Sequence, residues 1–292
     1  MRRRRHGLGH RDRGAGGLAA DASRGSTFRR IDPDRSPDLD SDLALALELC
    51  DDADVLTTAR FRAHDLHVET KPDLTPVSEA DRAVEEAIRD RLAAARPGDA
   101  ILGEEFGTSG AGHRRWIVDP IDGTKSYVRG VPVWATLLSL EVESELVLGV
   151  VSAPALGRRW WASRGGGAFA DGDPIRVSDV HALEDAQLCF ADFRDWEPQG
   201  LGESMLALSR KVWRAVGFGD FWGHMLVAEG AADAMIEPEL ALWDVAALRP
   251  IVEEAGGRCT STTGTPAIGP GGCVTTNGHL HDEVLGALGG SR

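Results

Sequence analysis

The chain reads as blocks of helical period separated by short apolar runs. From Asp40 to Phe61, Leu43, Leu47, Cys50, Asp54 and Leu56 fall near helical spacing with no Gly or Pro between them, which predicts a helix. Thr70 to Val77 carries Pro72 and Pro76 and cannot be helical. Ser78 with Asp81 three residues on makes a short capping box ahead of an apolar stripe of Val84, Ala87, Ile88 and Leu92. Pro97-Gly98 stops that helix. Ala100 to Gly103 reads as a strand running into Glu104 and Glu105, residues 107–114 as a Gly/Ser-rich loop, and Trp116 to Val118 as a short buried strand.

Beyond Thr124 the pattern turns to strands. Val133–Glu143, Leu146–Ala153 and Arg159–Ala162 are apolar and β-branched or aromatic runs divided by turn residues. Gly165-Gly166-Gly167 lies between a Trp-rich strand and Ala168-Phe169, with Asp171-Gly172 next, so it reads as a hairpin and not as a dinucleotide loop. Short strands (Ala186–Phe190, Ala215–Phe218, Ala231–Ile236, Gly272–Thr276) then alternate with helical stretches. These are Leu201–Val212, Trp222–Glu229, Val245–Glu254 and His281–Leu288, with Pro250 kinking or shortening the third. The pattern is that of an α/β (α+β) protein with helices layered on sheets. No fixed-period repeat and no linker interrupts residues 38–292.

Composition changes this picture at one end only. Residues 1–37 hold ten Arg and four Asp, a net of +6, and almost no large apolar residue; with a total of −14, residues 38–292 carry −20. The first 37 residues are expected to be a disordered tail, or the product of an upstream start codon chosen in error. The acidic body argues against nucleic acid as a partner, and no apolar run approaches the ~20 residues of a membrane helix. Four scattered cysteines, Cys50, Cys189, Cys259 and Cys273, form no C-x-x-C pair, so free thiols and a reducing cytoplasm are expected.

The candidate chemistry sits where the Trp116–Val118 strand ends. Asp119 and Asp122 stand three positions apart, with Pro120 and Gly123 setting the turn, and Gly123 and Thr124 offer N–H groups and a hydroxyl where a helix could begin. Carboxylates hold hard cations and helix N-termini hold phosphate, so this strand end suits metal-assisted phosphoryl chemistry. Glu104-Glu105 and Asp244, the latter delivered by Leu240–Trp243, bring further acid to element ends.

Gly103-Glu104-Glu105, Asp119-Pro120-Ile121-Asp122-Gly123-Thr124 and Trp243-Asp244, with Lys71 and Val77-Ser78-Glu79-Ala80-Asp81, resemble in order and spacing the inositol monophosphatase-like phosphatases, over roughly residues 39–288. Within them the chain is similar to actinobacterial histidinol-phosphatases, through segments such as Thr70–Val77, Val151–Leu156, Arg158–Trp161 and Gly219-Asp220-Phe221. The resemblance implies a layered α-β-α-β-α sugar-phosphatase fold, a homodimer, Mg²⁺ (or Mn²⁺) as cofactor and a small phosphate monoester as substrate. It implies Glu104, Asp119, Asp122, Asp244 and the main-chain oxygen of Ile121 as metal ligands. Asp119 would bridge two metals, and the N–H groups of Gly123 and Thr124 would hold the phosphate.

The resemblance also pairs Thr124 with Asp81 in a proton relay to the attacking water, and sets Lys71 near the nucleophile side. Asp81 alone reads equally well as a helix cap. Around the organic part of the substrate, Asp220, Glu237 and Glu239 would add acid, which suits the amine and imidazole of L-histidinol phosphate; inositol hydroxyls would also be accepted. Three other readings compete. A haloacid-dehalogenase nucleophile needs Asp where this chain has Pro120, and a Walker loop is absent. A phosphate- or metal-binding regulator would bind esters without turnover, against a complete acid set.

Overall fold

The protein is described by a computed structural model covering residues 37–71, 76–265 and 271–289. Apart from Pro37, the tail expected over residues 1–37 lies outside the described residues. Helix α1 (Pro37–Arg60) starts on a proline, whose missing N–H has no helical partner at that position anyway, and carries Asp38 and Asp40 in its first turn and Arg60 in its last. Strands β1 (Val68–Thr70) and β2 (Pro76–Ser78) pair antiparallel and lead into α2 (Glu79–Ala95). Then come β3 (Ala100–Gly103), β4 (Gly107–Ser109), β5 (Arg114–Asp122) and the short helix α3 (Thr124–Val128). Strand β4 corrects the loop expected over 107–114: too short and polar to show a pattern, it exists through pairing with β3.

Strands β6 (Ala135–Val142), β7 (Glu145–Ala153), β8 (Arg158–Ser163), β9 (Gly167–Ala170) and β10 (Asp173–Pro174) form an antiparallel meander, with the triple glycine at the β8–β9 hairpin. The remainder runs β11 (Gln187–Phe190), α4 (Gly202–Ser209), β12 (Arg214–Val216), α5 (Asp220–Ala228), β13 (Ala234–Leu240) and α6 (Leu242–Ala246). It ends with α7 (Leu248–Glu254), β14 (Arg258–Ser261), β15 (Gly271–Thr276) and α8 (His281–Leu288).

Two main sheets result, one of eight strands in the order β10-β9-β8-β7-β6-β5-β3-β4 and one of five in the order β12-β11-β13-β15-β14. Side chains of successive strand residues point to opposite faces, and the β6–β7 region divides accordingly. Leu138, Leu148 and Val150 pack with Leu49, Ala53, Ile88 and Leu92 of α1 and α2. Leu137 and Val151 pack instead with Phe221, Met225, Leu248 and Ile251 of α5 and α7. The smaller sheet meets α5 through Cys189 and Met235, and its other face meets α4 and α8 through Leu188, Ile236 and Val274. The layers are therefore α-β-α-β-α.

The helix expected over Val245–Glu254 is two helices broken at Ala247. Pro250 cannot donate to the carbonyl of Ala246 and its ring crowds that carbonyl. The freed oxygen lies 3.0 Å from Ser139 Oγ of the larger sheet, whose single proton is shared between it and the carbonyl of Leu148 at 2.7 Å. All four cysteines are free and buried, and Cys259 and Cys273, on neighbouring strands, have Sγ atoms 3.3 Å apart.

Candidate active site

Asp119 and Asp122 would point to opposite faces of a regular strand, because three positions separate them. The structure removes that conflict with a bulge: Asp119 pairs with Leu137 and Asp122 with Ala135, so β5 spends three steps where β6 spends two. Pro120, which has no N–H to lose from the ladder, sits inside the bulge, and its carbonyl accepts from Thr136 Oγ1 at 2.9 Å. Asp119 Oδ1 takes the Ile121 N–H at 3.0 Å. With Asp244 from the start of α6, one carboxylate oxygen from each of Asp119, Asp122 and Asp244 lies within 4.8 Å of the others.

These acids line a pocket of about 550 Å³, together with Glu104, Ile121, Gly123, Thr124, Asp220, Glu237 and Glu239. Gly123 turns the chain from β5 into α3 with φ of 80°, and a Cβ there would lie 3.1 Å from Val133 O and 3.4 Å from Asp220 Oδ2. Asp220 also has a left-handed φ, 55°, which Asp tolerates better than most residues. The following N–H, of Phe221, donates to Asp122 Oδ2 at 2.7 Å, which ties α5 to the strand end. Asp244 Oδ2 accepts from Ala241 N at 2.7 Å.

Lys71 and Asp81 stand one side chain behind the pocket. Lys71 Nζ donates to Glu104 Oε1 at 2.7 Å and to Glu105 Oε1 at 2.5 Å. Thr124 Oγ1 lies 3.2 Å from Asp81 Oδ1 and 2.9 Å from Ile121 O, so its single proton serves one of the two at a time. The carbonyl of Ile121 keeps a second lone pair.

The electrostatics are those of acid held together against repulsion. Burial, then Glu104, Asp122 and Asp244, push Asp119 well above the usual carboxylate range. Burial, then Asp220 and Asp244, do the same to Asp122. Burial outweighs the Ala241 hydrogen bond and, with Glu104, Glu237 and Asp220, carries Asp244 to about 7. Asp220 rises to about 6 through burial and Glu237. Burial also raises Asp81, against the hydrogen bonds from Ser78. For Lys71, burial acts downward, but the bonds to Glu104 and Glu105 prevail and raise it. Buried carboxylates of one sign are stable together when a cation lies among them. Their all-oxygen donor set fits a hard divalent ion.

Two residues at the site, Lys125 and His224, carried no signal in the sequence, and a third, Glu105, was legible there as an acid beside Glu104 but not as a partner of Lys71. Lys125 lines the pocket from α3. Glu105 is the second acceptor for Lys71. His224 is fully buried, with Nε2 2.9 Å from Glu237 Oε2 and Nδ1 2.8 Å from Thr275 Oγ1, and so braces Glu237 from behind.

The sequence profile of the inositol monophosphatase family matches residues 38–290. The chain belongs to the inositol monophosphatase family. A histidinol-phosphatase of Streptomyces coelicolor is 54% identical over 261 residues, covering 86% of this chain and 98% of its own. One from Mycobacterium tuberculosis is 55% identical over 254 residues, covering 85% and 97%. Among solved structures, the extragenic suppressor protein SuhB of Bartonella henselae superposes with a TM-score of 0.80 at 29% identity, over 86% of this chain and all of the other. Membership accounts for the layered α/β fold.

Proposed function

We propose that this protein is a Mg²⁺-dependent phosphomonoesterase that hydrolyses L-histidinol phosphate to L-histidinol and orthophosphate in histidine biosynthesis, with Mn²⁺ able to replace Mg²⁺. The observation that carries the reading is a single pocket in which Asp119, Asp122 and Asp244 converge while Asp220, Glu237 and Glu239 line the remainder. The first group suits cations and the phosphate they hold. The second suits a cationic organic moiety, and histidinol offers an amine and an imidazole. The two histidinol-phosphatase relatives support the same substrate.

Glu104, Asp119, Asp122, Asp244 and the Ile121 carbonyl would hold the metal. When bound, divalent cations neutralise the ester's charge, lower the pKa of water and stabilise the leaving oxygen. The chain's own part is positioning and proton transfer. The N–H groups of Gly123 and Thr124 hold the phosphate. As the water oxygen bonds to phosphorus and the bond from phosphorus to the histidinol oxygen breaks, Thr124 Oγ1 accepts the water's proton and passes its own to Asp81 Oδ1, while the leaving oxygen takes a proton from solvent water. Burial, which raises Asp81, makes it the better acceptor. Lys71 neutralises Glu104 and Glu105 at the edge of this route.

We further infer a homodimer in the cytoplasm; four buried free thiols suit a reducing compartment, and among the described residues no helix is long and apolar enough to cross a membrane. Residues 1–37 are read as a dispensable tail. Orthophosphate release from histidinol phosphate, inositol 1-phosphate, fructose 1,6-bisphosphate and adenosine 3′,5′-bisphosphate tests the substrate. The highest kcat/KM is expected for histidinol phosphate, and equal or better turnover of inositol 1-phosphate would overturn that assignment.

A further inference from the structure

A second set of metal-ligating side chains lies outside the carboxylate pocket. Asp179 and His181 sit between β10 and β11, and His279 sits in the turn between β15 and α8. Buried polar groups join these distant segments. Asn277 Nδ2 donates to Ser178 Oγ at 2.9 Å and to Val180 O at 2.8 Å, and Ser178 Oγ donates to Asp233 Oδ1 at 2.5 Å. Asn277 is 1% exposed and Asp233 6%, so the frame beneath the two segments is part of the interior.

Above that frame, His181 Nε2 lies 3.2 Å from Asp179 Oδ1, and His279 Nε2 lies 3.5 Å from the same oxygen. One ligand atom from each of the three residues lies within 4.8 Å of the other two. The imidazole rings have centroids 4.0 Å apart. Two protonated rings this close would repel each other, and exposed ion pairs alone hold little. Neutral imidazoles sharing a cation with the carboxylate have no such conflict. Two bonds of about 2.0–2.1 Å at a tetrahedral zinc separate their donors by about 3.3–3.4 Å, between the two distances seen.

We propose that Asp179, His181 and His279 bind a divalent transition ion of the Zn²⁺ class, at a site chemically distinct from the all-oxygen pocket. Two imidazole donors favour Zn²⁺ over Mg²⁺, which prefers oxygen. Water completes the shell, because all three side chains are exposed. The bound ion clips the segment before β11 to the turn before α8. This site does not depend on the substrate of the phosphatase pocket.

The test is Zn²⁺ binding to the full-length chain by equilibrium dialysis in a large excess of Mg²⁺, which occupies the carboxylate pocket. Wild type is compared with His181→Ala, His279→Ala and Asp179→Asn. The wild type is expected to retain one Zn²⁺ per chain. Losing a ligand costs at least what losing its supporting partner does, so each variant's affinity should fall by about tenfold or more. Co²⁺ in place of Zn²⁺ should show a visible spectrum in the wild type that both histidine variants lose. Phosphatase rates in Mg²⁺ and thermal melts without Zn²⁺ should be unchanged. No Zn²⁺ retained against Mg²⁺, or equal retention by wild type and variants, would overturn the site.

Discussion

Asp81 and Thr124 are joined by one carboxylate oxygen while the other oxygen of Asp81 caps a helix. Oδ1 lies 3.2 Å from Thr124 Oγ1, and Oδ2 accepts from Ser78 N at 2.8 Å and Ser78 Oγ at 2.6 Å. Capping and a place at the site are therefore not alternatives, since each uses its own oxygen. The N-terminus of α2 aims a buried acid at the first residue of α3.

That division predicts separable effects. Asp81→Asn should lower kcat by about a hundredfold or more with little change in KM, as expected for a lost proton acceptor. Ser78→Ala should destabilise the fold by about 1 kcal/mol, the usual value of a cap, while leaving most activity. Steady-state kinetics and urea melts on both variants check this; equal activity losses would contradict it.

Gly103 is required by Glu85. A Cβ at Gly103 would lie 2.0 Å from Glu85 Oε1, and Glu85, fully buried, accepts from Glu105 N at 2.7 Å and Phe106 N at 3.2 Å and pairs with Arg89 at 2.7 Å. Gly103→Ala should displace this carboxylate and destabilise the protein by about 1–3 kcal/mol. Glu85→Ala, which strands Arg89 and two N–H groups, should reach about 3 kcal/mol or more. Both should raise the Mg²⁺ concentration for half-maximal activity, because Glu104 follows directly on the disturbed strand.

Without metal, the carboxylates of the pocket oppose folding. Asp119→Asn should therefore raise the Tm of chelator-treated protein above that of wild type while abolishing most of the gain from Mg²⁺. At a hundred times its Kd, Mg²⁺ should stabilise the wild type by about 2.7 kcal/mol. Scanning calorimetry with and without Mg²⁺ reads both effects. A variant less stable than wild type in chelator would contradict the repulsion argument.

His281 gives stability a pH dependence away from the site. Burial, then Arg258, lowers its pKa from 6.5 to about 4 against the opposing pull of Asp282, and the neutral ring bonds Thr260 Oγ1 at 2.9 Å and Thr276 Oγ1 at 3.0 Å. Between those pH values the unfolded chain binds the extra proton. Stability from this residue is thus complete above about pH 6.5 and falls as the pH drops toward 4, by up to about 3 kcal/mol. His281→Asn should flatten that part of the profile in denaturant melts at each pH.

Much of this architecture was legible because long elements carry their own periodicity. The stripe of α2, the apolar runs of β5 to β7 and the break near Pro250 all follow from local rules. Strands β1, β4 and β14 were not legible: each is short, β1 is exposed throughout, and pairing alone defines them. At the site, the acids stood out by type and position, but the bulge that turns Asp119 and Asp122 to one side is a property of two strands together. His224 left no trace, because a histidine among apolar helix residues looks the same whether or not it braces a carboxylate. Cys259 and Cys273 are remote in sequence and adjacent only through β14 and β15.

The most direct test is orthophosphate release from L-histidinol phosphate by chelator-stripped protein as Mg²⁺ is returned, with Asp119→Asn measured beside the wild type. Release should be at background without metal and recover to saturation in the wild type. The variant should remain at least about a hundredfold slower at saturating Mg²⁺, the scale for losing a preorganised charge at a reacting centre. Release undiminished by the chelator, or undiminished by Asp119→Asn, would contradict the account.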